Sequence, residues 1–464
     1  MREQLNMKQT TYIILLSMIF TSCLVTKKYT RPELELSEAY RDVTLKDSTS
    51  LAEMPWNEFF TDPTLKDLIN EALENNFDLL MAYQRVLAAE ALFKQGKAEY
   101  MPTLSANLGV AENKMSNQSW MQGLSFEEYS LKGSLTWEPD IWGRITANKN
   151  AAKATLFQVQ EDTKAIQTAL VANLASAYFQ LIKADAQIDL MHKTIANRKE
   201  SFEVMMELKK SGRVNEAGVM QTKAQLHATE ALLVDFNRMQ KLLENTINLI
   251  LGREYADIKR SQLNDINTAK SVETGVPALL LANRPDVRAA EFRLMQAFEQ
   301  TNVARTSFYP NISISASGGL QAMDPSLWFN KDALLYNAAA NLTQPIFNKR
   351  RNRTALEVAK AQQEQAFIDF KKSITGASTQ VSDALINYQA ATEKYKVKSD
   401  ELEALNKAVT YSEDLLTSGF ATYLEVLIAQ NSELNAEINI IDIKVSKLTS
   451  MISIYEALGG GWRN

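Results

Sequence analysis

A helix that hands over to a strand at a proline, twice in one chain, constrains this sequence more than any other feature. Within residues 284–320, Val287, Ala290, Leu294, Ala297 and Val303 recur at helical spacings as far as Tyr309-Pro310. Proline cannot continue the helix, and beyond it the period drops to two, with Ile312, Ile314 and Ala316 alternating against Ser313, Ser315 and Ser317. Residues 78–110 say the same thing: the helical pattern stops at Tyr100-Met101-Pro102, and Leu104, Ala106, Leu108 and Val110 then alternate with Ser105, Asn107 and Gly109. Each half adds a second alternating run. Residues 129–137 oppose Tyr129, Leu131, Gly133, Leu135 and Trp137 to Ser130, Lys132, Ser134 and Thr136, and residues 335–343 oppose Tyr336, Ala338, Ala340 and Leu342 to Asn337, Ala339, Asn341 and Thr343. The strands are expected at 103–111, 129–137, 311–320 and 335–343.

After each strand pair comes a very long helical tract. Residues 145–210 contain neither glycine nor proline, and a helix of that length extends roughly 100 Å. Gly212 breaks it and a second helix returns over 216–251, stopped at Gly252. The other half repeats this with 351–417, a break at Ser418-Gly419, and 423–457 ahead of Gly459, Gly460 and Gly461. With 16 glycines and 10 prolines in 464 residues there is little room for loops. The fold class read from the pattern is mainly α with β-strand pairs, in two tandem repeats of a strand pair plus an antiparallel helical hairpin.

Strands of about nine residues, apolar on one face and hydrophilic on the other, fit a bilayer-spanning barrel with a wet lumen. A soluble sandwich has the same alternation. The membrane is favoured by Lys132 lying on the polar face and by aromatics near strand ends, among them Tyr129, Trp137, Trp142, Tyr309 and Phe347. Four strands cannot close on themselves, and an open edge in lipid leaves backbone groups unpaired. Copies of the chain must close it, and twelve strands from a trimer leave a useful channel where eight do not. The hairpins below are then either a tube of helices or a coiled-coil rod.

The amino-terminal stretch has Lys8 ahead of an apolar run of about ten residues, half of what a spanning helix needs. Thr21 and Ser22 before the single cysteine, Cys23, are similar to a bacterial lipobox. The expected division is a signal peptide over 1–22, a lipidated tether over 23–55, a first repeat over 56–252, a linker over 253–276 and a second repeat over 277–464. Net charge is −5 with both signs interspersed, which excludes a nucleic-acid partner. His192 and His227 stand alone on helical tracts, Met205, Met206, Met220 and Met239 occupy packing positions, and no spacing suggests catalysis or a cofactor.

With the halves laid together, the residues resemble the outer-membrane factor family of bacterial tripartite efflux systems, in its lipoprotein branch. The resemblance covers nearly the whole mature chain and rests on Tyr29-Thr30-Arg31-Pro32; on Trp56, Phe59, Asp62-Pro63, Leu65, Ala72-Leu73 and Asn76; on Glu138, Asp140 and Trp142-Gly143-Arg144; on Arg284-Pro285-Asp286 with Ala290-Glu291; and on Pro345, Phe347 and the series Gly419, Tyr423, Leu424, Val426, Leu427, Ala429, Gln430. It implies a homotrimer whose twelve-stranded barrel sits in the outer membrane and continues as an α-helical tunnel across the periplasm. That assembly would be the passive exit duct for drugs, other small molecules or metal ions delivered by an inner-membrane transporter through a periplasmic adaptor. Asn348-Lys349-Arg350 stands where the family usually has Gly-Arg, so a differently shaped turn is expected there.

The resemblance also implies where function sits. The adaptor would dock on the two hairpin tips, at Gly212, Arg213 and Val214 and at Gly419, Phe420, Tyr423 and Leu424. An acidic ring would narrow the pore at Glu425, helped by Glu216, with Ile428 and Gly218 at the family's other acidic positions. Cys23 would carry the lipid. The alternative from another class is a lipid-anchored helical scaffold or adhesin without a pore.

Overall fold

A computed structural model of the chain describes residues 25–33, 54–118, 123–266 and 284–463. The expected signal peptide, Cys23, most of the tether and the end of the linker lie outside the described residues. The helices are α1 (Trp56–Phe59), α2 (Pro63–Asn75), α3 (Phe77–Ala98), α4 (Arg144–Lys210), α5 (Glu216–Ile250), α6 (Pro285–Thr306), α7 (Arg351–Thr417) and α8 (Tyr423–Ala457). The strands are β1 (Thr103–Lys114), β2 (Ser125–Trp137), β3 (Asn311–Ala322) and β4 (Leu334–Thr343). Two compact units result, and neither is one of the sequence halves. The first gathers Met1–Glu33, Arg85–Val159 and Ala289–Phe370; the second gathers Leu34–Gln84, Gln160–Arg288 and Lys371–Asn464.

The first unit is built around one antiparallel sheet in the order β1-β2-β3-β4. The hairpin of each half pairs through β2 and β3, so Leu131 lies opposite Leu320 and Trp137 opposite Ile314. Because side chains alternate with period two, this register puts every expected apolar position on one face. Across β1 and β2, Leu104 meets Leu135 and Leu108 meets Leu131; across β3 and β4, Ile312 meets Leu342 and Gly318 meets Tyr336. That face is bare: Leu104 is 77% exposed and Tyr336 87%. The opposite face carries Ser105, whose hydroxyl lies 2.8 Å from that of Ser134, together with Lys132. Among the described residues, the outer edges of β1 and β4 pair with no strand.

Two strands are longer than alternation alone marks. β1 runs on to Lys114, and β2 begins at Ser125 rather than at 129, because Glu112 pairs opposite Glu127 and Ala111 opposite Glu128. Glu128 also faces Lys132 at 3.6 Å. Charged residues at the far ends of the strands hide the period without ending the ladder.

Four helix ends, those of α3, α4, α6 and α7, meet the sheet at one end. Here the cluster from Glu138 to Arg144 serves as a cap. Both carboxylate oxygens of Asp140 accept from the first turn of α4, from the N–H of Ile145 at 2.8 Å and of Thr146 at 2.9 Å. Arg144 donates two bonds to Glu138, at 2.9 and 2.8 Å. The indole N–H of Trp142 donates to the Pro310 carbonyl at 2.7 Å, tying the first strand pair to the start of the second. Between β4 and α7, Lys349 and Arg350 both take left-handed backbone, with φ of 54° and 66°. Left-handed backbone suits a glycine, and both residues that adopt it here carry long side chains.

The second unit is fixed by links between residues far apart in sequence. Asp62 caps α2, accepting from the Thr64 N–H at 2.9 Å, with Pro63 at the first helical position. Its other oxygen accepts from the Tyr178 hydroxyl at 2.6 Å, and Ser261 donates to both residues. Burial, then the bond to Asp62, pushes the Tyr178 phenol up to about 12. Arg284 donates to the Ala457 carbonyl at 2.9 Å and to Asp286 at 2.9 and 2.6 Å. The Arg-Pro-Asp motif therefore starts α6 while its cation caps the end of α8. In α4, Leu174, Ala175, Tyr178 and Leu181 are fully buried, which is the helical stripe the sequence shows.

Candidate functional site

The tips are turned by the same device in both halves. At the end of α4 the N–H of Arg213 donates to the Leu208 carbonyl and that of Gly212 to the Lys209 carbonyl, both at 2.9 Å. At the end of α7 the N–H of Phe420 donates to Leu415 at 2.9 Å and that of Gly419 to Leu416 at 3.1 Å. This paired pattern requires left-handed backbone at one residue, and Gly212 and Gly419 supply φ of 76° and 79°. The same pattern with Gly252 and Gly459 ends α5 and α8.

The returning helices start differently. Asn215 caps α5 by accepting from the Gly218 N–H at 3.1 Å. Thr422 caps α8 in a reciprocal box, in which Glu425 reaches back and accepts from the Thr422 N–H at 3.2 Å. The expected gate residue Glu425 is exposed and partly committed to holding its own tip. Glu216 is also exposed, and pairs with Lys209 on the outgoing helix of the same hairpin. Arg213 is exposed and Val214 half-buried; Phe420 is 83% exposed, Leu424 is exposed, and Ile428 is 59% exposed one turn beyond Glu425. Both tips thus present a polar and apolar surface to solvent.

Sequence reading missed what lies behind the second tip. A cleft of about 650 Å³ opens between α4, α7 and α8, lined by Arg198, Glu413, Tyr423, Glu433 and Glu437 among others. Arg198 is buried and bonded to neutral partners, the Gln225 carbonyl at 2.5 Å and the Asn431 side chain at 2.6 Å. Burial pushes its guanidinium below the ordinary value. Burial likewise pushes the Glu433 and Glu437 carboxyls up, Glu433 also through Glu437 and Glu413. The Tyr423 hydroxyl is buried without a hydrogen-bond partner. No short motif marks this cluster, because Arg198 and Asn431 come from opposite halves of the chain.

The chain resembles known proteins over most of its length. It is 27% identical to the cation efflux system protein CusC of Escherichia coli O6:H1, covering 96% of this chain and 97% of that one. It is 28% identical to the solvent efflux pump outer membrane protein SrpC of Pseudomonas putida, covering 87% of each. A crystal structure of CusC, solved in a study of folding and transmembrane channel formation, superposes with a TM-score of 0.86 at 26% identity over 94% of this chain and 99% of that one. Residues 68–253 and 276–460, one stretch in each half, both match the outer membrane efflux protein family. With two strand pairs, two long hairpins and that doubled match, the chain belongs to the outer membrane efflux protein family.

Proposed function

We propose that three copies of this outer-membrane efflux protein close a twelve-stranded barrel and extend it as a helical tunnel. The protein is a transport duct and not an enzyme. A single observation carries the trimer: an open sheet with one apolar, uncovered face and two edges that pair with no strand among the described residues. In lipid each unpaired backbone group costs several kcal/mol, and only pairing β4 of one copy with β1 of the next removes both edges. Exposed apolar residues on α3 and α7, such as Leu87, Leu92, Val358 and Ile368, support the tunnel, since one chain leaves them uncovered.

The tips are proposed as the inner mouth and the adaptor's docking surface, with Glu425 in three copies as the acidic constriction and Glu216 beside it. Cys23 is proposed as the acylated residue that tethers each copy to the outer membrane. Cargo is delivered by an inner-membrane transporter. The relatives' names span cations and solvents, so the duct's own chemistry does not set the cargo. Purified protein in planar bilayers is expected to give discrete channel currents and, on gels, a trimer band that collapses on heating. A silent bilayer with a monomeric band would favour the pore-less scaffold.

A further inference from the structure

Between β4 and α7 the chain reads Pro345-Ile346-Phe347-Asn348-Lys349-Arg350-Arg351-Asn352-Arg353. Ile346 is 97% exposed and Phe347 86%, and Lys349, Arg350, Arg351 and Arg353 are exposed beside them. Among the described residues Arg350 meets Glu357 at 2.9 Å, while Lys349, Arg351 and Arg353 have no ion-pair partner. Folding alone gives no reason for this crowding. Arg351 and Arg353 stand in the first turn of α7, where the helix dipole repels cations and no acidic residue offsets them. A patch of this kind asks for an anion from outside the chain.

Its level in the molecule says which anion. The patch begins three residues after Thr343, the last residue of β4, which pairs with Asn311 at the helix end of the sheet. Trp142 and Tyr309 lie at the same end, their rings 5.1 Å apart. The chain just after Cys23 is held there too: a side chain on Gly143 would come within 3.1 Å of Thr26, and the Lys27 backbone exchanges bonds of 3.0 and 2.9 Å with Asn302. The end of the apolar sheet face, the aromatic pair and the segment following the proposed acylated cysteine thus gather at the helix end of the sheet. A free anion would not explain Ile346 and Phe347, which offer acyl chains a seat next to the charges.

We propose that residues 346–353 bind the headgroup of an anionic phospholipid in the periplasm-facing leaflet, an inference that rests on the outer-membrane reading. Lys349, Arg351 and Arg353 pair with its phosphate, and Ile346 and Phe347 enter the acyl region beside it. The test counts phospholipids retained by the full-length protein in native mass spectrometry, from micelles doped with equal phosphatidylglycerol and phosphatidylethanolamine. Wild type is expected to prefer phosphatidylglycerol, more weakly at high salt, and the preference should survive added inorganic phosphate. The triple variant Lys349→Gln, Arg351→Gln, Arg353→Gln should lower it by roughly a hundredfold, from about fivefold per cation; Lys394→Gln with Lys396→Gln, far along α7, should not. Equal retention of the two lipids by wild type overturns the proposal without needing any variant. So does displacement by phosphate, or a triple variant that keeps the preference but loses the trimer, which would make the patch a subunit contact. Protein that gives no current in bilayers of either lipid would instead sink the outer-membrane reading.

Discussion

Glu425 holds two roles that different substitutions separate. Its carboxylate completes the box with Thr422, and glutamine can make the same bond without charge. Glu425→Gln is therefore expected to keep the tip intact while weakening block by divalent cations. Glu425→Ala should weaken the block as well and also destabilise the tip, by about 1 kcal/mol. Conductance with and without Mg²⁺ measures the first effect, and hydrogen exchange at the start of α8 the second; identical cation block in wild type and glutamine variant would remove Glu425 from the pore. The box was legible as Thr422-x-x-Glu425, yet the family resemblance drew attention to the charge alone. Behind it, Glu433 and Glu437 titrate above their unfolded values. Between those two ranges the folded tip holds more protons than the unfolded chain, so its stability falls as pH rises through that window and levels off above it. Exchange protection of α8, corrected for intrinsic rate, should rise on acidification from neutral pH, and Glu437→Gln should flatten the change.

Elements were the most legible level, for a physical reason. The strands carry a strict period of two and the helices long stripes of alanine and leucine, so their existence follows from the residues alone. Strand ends were less legible, because Glu127 and Glu128 sit where polar and apolar faces lose meaning at the rim. The pairing of β2 with β3 was not legible at all, since nothing local announces a partner in the other half. That pairing has a sensitive point: a side chain on Gly319 would meet the Leu131 carbonyl oxygen at 2.0 Å and the Lys132 Cα at 2.8 Å. Gly319→Val is expected to break the ladder between the two hairpins and abolish the heat-sensitive trimer band. A variant that still forms trimers with normal current would show that the sheet shifts to make room.

At the scale of the whole molecule, the two repeats share out both compact units, and each unit draws on both halves. Arg198 and Asn431 meet within the second unit, as do Gln187 and Asp442, and each pair joins one half of the chain to the other. Neither half is therefore expected to stand alone. Residues 1–262 expressed without the rest should be degraded or remain monomeric, whereas the two halves made as separate chains in one cell should restore trimers. Gel analysis of outer-membrane fractions checks this, and a stable trimer from one half would refute it.

The junction of β2 with β3 also sets a schedule. Leu131 has no neighbour on that side until Leu320 has been synthesised, so the first hairpin must wait with one flank open. Distant closure of this kind is slow because the entropy of the intervening loop is lost before any contact rewards it. During that delay the newborn chain is a ribbon with a bare apolar face and an open flank, a form prone to stick to its siblings.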